Sequence, residues 1–182
     1  MAMTDSKYPG ELASPQQIYE LAEEYRKAAT LLLPLGRSGK PLTWAPFRLS
    51  AIHAVELYLT ALLLHRGHNP NEIRKMQHDL AARTEHALQA GLRLRVKTAN
   101  HLRSLSQNRE YLVTRYGPEL AATVSQINRL TATLDQVAAK VTGLMAPPPT
   151  RLPPSKRIAG AAEAHARDSA ASLSASSAKP MT

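Results

Sequence analysis

The chain has no cysteine among its 182 residues, which excludes a disulfide scaffold, a cysteine-ligated zinc module and a thiol enzyme. Aromatic residues are few: one Trp, one Phe and six Tyr. β-Branched Val and Ile total only 11. No strictly apolar run is longer than Ala61–Leu64, far short of the about 20 residues that an uninterrupted membrane span needs. The opening residues, Met1 to Gly10, contain no apolar h-region and read as neither secretory nor anchored. The expectation is a cytoplasmic protein with no membrane partner.

What is present is leucine and alanine, 55 residues together. These side chains lose little freedom in a helix, whereas β-branched ones are penalised. The composition therefore predicts an all-α fold. Ser14-Pro15-Gln16-Gln17 has the form of a capping box with Pro at the first helical position. Apolar residues then recur at Ile18, Leu21, Ala22, Tyr25, Ala28, Ala29 and Leu32 until Pro34 and Gly36 end the pattern. Glu23 and Lys27 stand four apart, in the favourable order for a pair. A loop over 36–46 leads to the most apolar helix, 46–66, with Leu49, Ile52, Val55, Leu59, Leu62 and Leu63 on one stripe. Helices are further expected over 78–90, over 94–114, and from Gly117-Pro118 to Val141. Short connections among these elements predict an antiparallel four- to five-helix bundle.

The predicted organisation is a flexible N-terminal arm over 1–13, a helical domain over 14–145 and a tail over 146–182. Of the tail's residues, 22 are Ala, Ser or Pro, and its larger apolar residues are only Leu152, Ile158, Leu173 and Met181. Such a segment buries too little surface to offset its ordering entropy, so disorder is expected.

The net charge of +9 is unevenly spread. Residues 1–30 carry three basic and five acidic side chains, whereas 37–115 carry thirteen basic and five acidic. Arg93, Arg95, Lys97, Arg103, Arg109 and Arg115 face only Glu110 within 93–115. A solvated basic surface and a phosphate-facing one both fit this pattern, and arginine's planar fork suits phosphate oxygens.

Seven histidines invite a metal-site reading. His53, His78-Asp79 and Asp135 follow the order of the HD phosphohydrolase family. Their flanks differ from that family's, since Arg74-Lys75-Met76-Gln77 precedes the pair and Leu80-Ala81-Ala82 continues a new helix. Asp79 is better placed to open that helix near its positive end. Neither a metal nor a cofactor is expected.

A second pattern covers residues 15–144. Ala51-Ile-His-Ala-Val-Glu-Leu-Tyr-Leu-Thr-Ala-Leu-Leu-Leu64 precedes His78-Asp-Leu-Ala-Ala-Arg-Thr-Glu-His-Ala-Leu-Gln-Ala-Gly-Leu92, and Tyr111-Leu-Val-Thr-Arg-Tyr-Gly-Pro118 follows. Order and spacing together resemble the HEPN family of small helical bundles. The resemblance implies a domain, often a homodimer, that binds RNA or a nucleotide in toxin–antitoxin or nucleotidyltransferase-associated systems. It also implies two alternatives: a metal-independent ribonuclease, or a non-enzymatic interaction module with a nucleotidyltransferase-type partner.

The ribonuclease branch of the family uses an Arg and a His four to six residues apart, late in the bundle. Arg115 stands at the family's arginine, but Glu119-Leu-Ala-Ala122 supplies no histidine, and Thr60 replaces a frequent lysine. Arg48 with His53, and Arg95 with His101, have the required spacing. A chain with 15 arginines and 7 histidines holds such pairs by chance alone. His53, Glu56 and Thr60 form a polar line on an apolar helix, either an internal hydrogen-bond network or a pocket in which Glu56 orients His53. Arg48, His53, Glu56 and His101 are thus the catalytic candidates. Arg109, Tyr111, Arg115 and Tyr116 are the candidates for holding phosphate and base, although Arg115 would equally cap a helix C-terminus.

Overall fold

The computed structural model describes residues 10–146. The expected N-terminal arm, except for residues 10–13, and the expected disordered tail, except for residue 146, lie outside the described residues. Within them the fold is all-α: α1 (Pro15–Leu32), α2 (Ala45–His65), α3 (Pro70–Lys75), α4 (Leu80–Gln89), α5 (Val96–Gln107), α6 (Glu110–Tyr116) and α7 (Ile127–Met145). Short 3-10 turns occupy Leu33–Leu35, Pro41–Trp44 and Pro118–Leu120.

Helix starts follow their local chemistry. Gln17 N–H donates to Ser14 Oγ (3.1 Å) and the Gln17 side chain accepts from Ser14 N–H (2.9 Å), closing the expected capping box of α1. Asp79 caps α4 by accepting from the backbone of Ala81 and Ala82. It also accepts from Ser106 Oγ at 2.8 Å, which ties α5 to the start of α4. Asn69 with Pro70 starts α3, which lies between the expected 46–66 and 78–90 helices. Glu23 pairs with Arg26 rather than with Lys27, and Lys27 pairs with Glu24 instead.

Two expected helices are shorter than their apolar patterns. The 94–114 stretch breaks at Arg109, whose φ of 49° is left-handed and ends α5. The last helix begins at Ile127, not near 118. Ser125, just before it, is held by long-range bonds: its N–H donates to Glu110 Oε1 (2.8 Å) and its carbonyl accepts from Arg48. A backbone committed to another element cannot continue a helical ladder. With α3 added and the 94–114 stretch split, the described residues form seven α-helices where four to five were expected.

Helix α2 is the centre. Its Phe47, Ile52, Val55, Tyr58, Leu59, Leu62 and Leu63 are all buried, although Leu49 of the expected stripe is half-exposed. Tyr25–His53 and Tyr19–Tyr58 ring contacts show that α1 runs antiparallel to it. Leu130, Leu134, Val137 and Val141 of α7 complete the core, with Leu80 and Ala87 of α4 and Leu102 and Leu105 of α5. By length and composition Pro41–His65 could cross a membrane, a property that counting uninterrupted runs overlooked. Most of that stretch is buried inside the bundle, which accounts for its apolarity.

At one end of α2, Arg48 lies 3.5 Å from Glu110, and both are buried. Removing one member of a buried pair leaves the other charge uncompensated, at a cost of about 3–5 kcal/mol. Arg48→Ala is therefore expected to lower the unfolding free energy by about that amount in urea titration. Glu72→Ala, at an exposed pair with Lys75, should change it by less than about 1 kcal/mol.

Candidate functional site

The polar line of α2 extends into a network that includes α4. His78 Nδ1 lies 3.0 Å from Glu56 Oε2 and donates to it in the tautomer that an ionised carboxylate selects. Arg83, buried in α4, donates to Glu56 Oε1 (3.4 Å), to Thr60 Oγ1 (3.2 Å) and to the Gln77 carbonyl. Thr60 itself donates to the Glu56 carbonyl at 2.8 Å. Burial works against the Arg83 charge, and Glu56 and Asp79 sustain it. Its Nε–H is buried and has no partner among the described residues.

Two hollows meet at His78. A cavity of about 540 Å3 is lined by Glu56, Thr60 and Arg83 on its polar side and by Ile18, Leu57 and Ile73 on its apolar side. Beyond His78 lies a groove of about 350 Å3, lined by Gln77, Asp79, Arg109 and Tyr111. The Tyr111 ring stands 5.0 Å from the His78 ring. Gln77 and Arg109 are the two non-glycine residues with positive φ among the described residues, at 46° and 49°. Both line this groove. Left-handed backbone at such residues costs on the order of 1–3 kcal/mol and tends to collect at functional sites.

The candidates from sequence are therefore divided. Arg109 and Tyr111 share the groove, and Tyr116 stands apart, largely exposed. Arg115, exposed on the last turn of α6, lines a separate hollow of about 210 Å3 with Arg48. Arg48 bonds to Ser125 and Glu110, not to His53. His101 is buried, with Nδ1 2.7 Å from Thr133 Oγ1, and is thus a core residue. Burial, with Arg129 and Arg48 adding repulsion, pushes its pKa down to about 4. Neither spacing-matched Arg–His pair forms a site. His53 packs edge-on against Tyr25, ring centroids 4.4 Å apart, and its buried Nδ1 has no partner among the described residues. Burial lowers its pKa, Glu56 opposes this, and the positive fields of Arg115 and His78 lower it further. Arg115 and His53 are thus within electrostatic reach of each other. Among the described residues no three His, Asp or Glu side chains are grouped to hold a metal.

The site candidates drawn from the sequence include neither Arg83 nor His78. A signal for Arg83 was present. It shares a helical face with Leu80, Thr84 and Ala87, all buried, and an arginine among such positions requires an internal acceptor.

Two outcomes follow. The unfolded chain binds a proton at His101 near its ordinary pKa of about 6.5, while the folded chain resists until about pH 4. Stability is full above the unfolded value and falls as pH drops through that window. Urea midpoints measured between pH 7.5 and 4.5 should fall, and His101→Gln should flatten the decline. At Arg109, Gly accepts positive φ without strain, so Arg109→Gly should leave the melting temperature unchanged or slightly higher. Arg109→Val should cost about 1–3 kcal/mol of unfolding free energy.

No family model, curated protein or solved structure matches the chain.

Proposed function

We propose that this chain is an HEPN-like helical domain that binds RNA or a nucleotide, with the groove at Arg109, Tyr111 and His78 receiving the phosphate-bearing part of the ligand. The observation that carries this reading is the convergence of an exposed arginine, a tyrosine ring and an imidazole on one groove. A guanidinium supplies the fork for phosphate oxygens, and the rings supply faces for a base. The strained backbone at Gln77 and Arg109 supports it, because such strain persists only where the surrounding structure enforces it. The excess of basic residues over 37–115 adds long-range attraction for a polyanion. Membership of a toxin–antitoxin or nucleotidyltransferase-associated system belongs to the same reading and rests on the order of the motifs.

A metal-independent ribonuclease is the second reading, favoured by the field that Arg115 exerts on His53 rather than by either spacing-matched pair. Burial keeps His53 neutral and able to accept a proton, while Arg115 would hold the scissile phosphate.

Binding of a short single-stranded RNA, followed by fluorescence anisotropy, should weaken steeply with salt as counterions are released. Arg109→Ala should weaken it and shallow the salt slope. Salt-independent binding would overturn the proposal. Absence of binding at physiological salt would leave the interaction-module alternative, read out by capture of a nucleotidyltransferase-type partner. The ribonuclease reading predicts RNA cleavage that persists in EDTA and is lost in His53→Ala; no cleavage of any RNA removes it.

A further inference from the structure

The cavity between α2, α3 and α4 is not used by the phosphate groove, yet the two meet at His78. Its volume of about 540 Å3 falls in the range of small-molecule sites, and such sites pair apolar walls with a few fixed polar groups. Ile18, Leu57 and Ile73 supply the walls; Glu56, Thr60 and Arg83 supply the inner polar groups, and the exposed Glu11 also lines the cavity.

Glu56 determines what would fit. Its carboxylate is largely buried, and His78 and Arg83 occupy two of its about four lone-pair sites. It can only accept, so it requires N–H donors from a ligand. Guanine presents two adjacent donors, N1–H and the 2-amino group, matching the two carboxylate oxygens. Adenine and cytosine place a ring-nitrogen acceptor beside the amino group, and uracil flanks its single N–H with carbonyls. Each of these would set an acceptor against the carboxylate. Arg83 is only 5% exposed and holds one of the two carboxylate oxygens from the protein side.

We infer that this cavity takes the guanine base of a guanosine phosphate, with Glu56 accepting from N1–H and the 2-amino group and Arg109 meeting the phosphate beyond His78. The contacts between the two ends are short ones: Glu56 to His78 is 3.0 Å, and His78 to Tyr111 is 5.0 Å between rings. Arg109 lies two residues before Tyr111 in the same groove. The inference rests on the proposed RNA- or nucleotide-binding function and specifies the base.

The test is calorimetric titration of the full chain with GMP, AMP and inorganic phosphate. Two short RNAs, identical except that guanines are replaced by adenines, separate free nucleotide from a guanosine within RNA. GMP, or the guanine-containing RNA, should bind at least about tenfold more tightly than its adenine counterpart, the scale set by charge-assisted hydrogen bonds. Glu56→Gln should remove most of that preference while leaving the adenine affinity in place. Because Glu56→Gln also removes a partner of buried Arg83, Asn71→Trp provides a check. Asn71 is exposed and lines the cavity, so a bulky ring there should weaken guanine binding without lowering the melting temperature. Equal affinity for guanine and adenine ligands, or guanine binding unaffected by Asn71→Trp, overturns the inference and leaves the proposed function standing. Failure of every nucleotide and both RNAs to bind overturns both.

Discussion

Burial of α2 is the constraint on which the rest of the structure depends. Helices α1, α4, α6 and α7 all pack against it, so almost every face of α2 is an interior face. A buried polar group without a partner costs more than a hydrogen bond returns. The polar residues of α2 therefore dictate what surrounds them. Arg48 at its start draws in Glu110 and the backbone of Ser125, which fixes where α6 begins and delays α7. Glu56 and Thr60 near its middle draw in Arg83 and His78, which fix α4 and the turn before it. Tyr58 on the opposite side donates to Glu23 and accepts from Arg26, anchoring α1.

The same constraint explains where strain appears. Arg83 donates to the carbonyl of Gln77, which is itself left-handed. Arg109 turns the chain between α5 and α6 so that Glu110 points inward toward Arg48. Both strained residues are thus coupled to buried charges on α2, and both line the groove beside His78. Satisfying the interior and shaping the groove are one structural problem.

What was legible in the sequence was local. The capping box at Ser14, the cap at Asp79 and the dominance of the 46–66 helix depend on residues within a turn or two of one another, and all are present. Helix ends set by long-range bonds were not legible. Nothing near Arg109 announces a left-handed residue, and nothing near Val124 announces that Ser125 is held by Glu110. The catalytic candidates chosen by spacing met the same limit. Arg48 and His53 are five residues apart, about 140° around a helix at 100° per residue, so they face different neighbours. The groove candidates fared differently: Arg109 stands at the start of the short helix that carries Tyr111, two residues on, and both line the groove, whereas Arg115 at the far end of that helix lines another hollow.

Charge and chemistry then divide between two scales. A net charge of +9 attracts any polyanion and distinguishes none. Discrimination requires a group that rejects wrong ligands, and a buried carboxylate does that twice over. Glu56 repels bare phosphate, which assigns phosphate to the Arg109 side of His78 on the proposed reading. It also repels any base edge that presents an acceptor. Its two oxygens are held by His78 and Arg83, so the residues that tie α4 to α2 also fix the orientation of this carboxylate. Replacing that trio with apolar residues of equal volume could preserve the bundle, as buried ion pairs elsewhere tolerate, but it would take the Glu56 carboxylate out of the cavity and leave the exposed Glu11 as its carboxylate among the described residues.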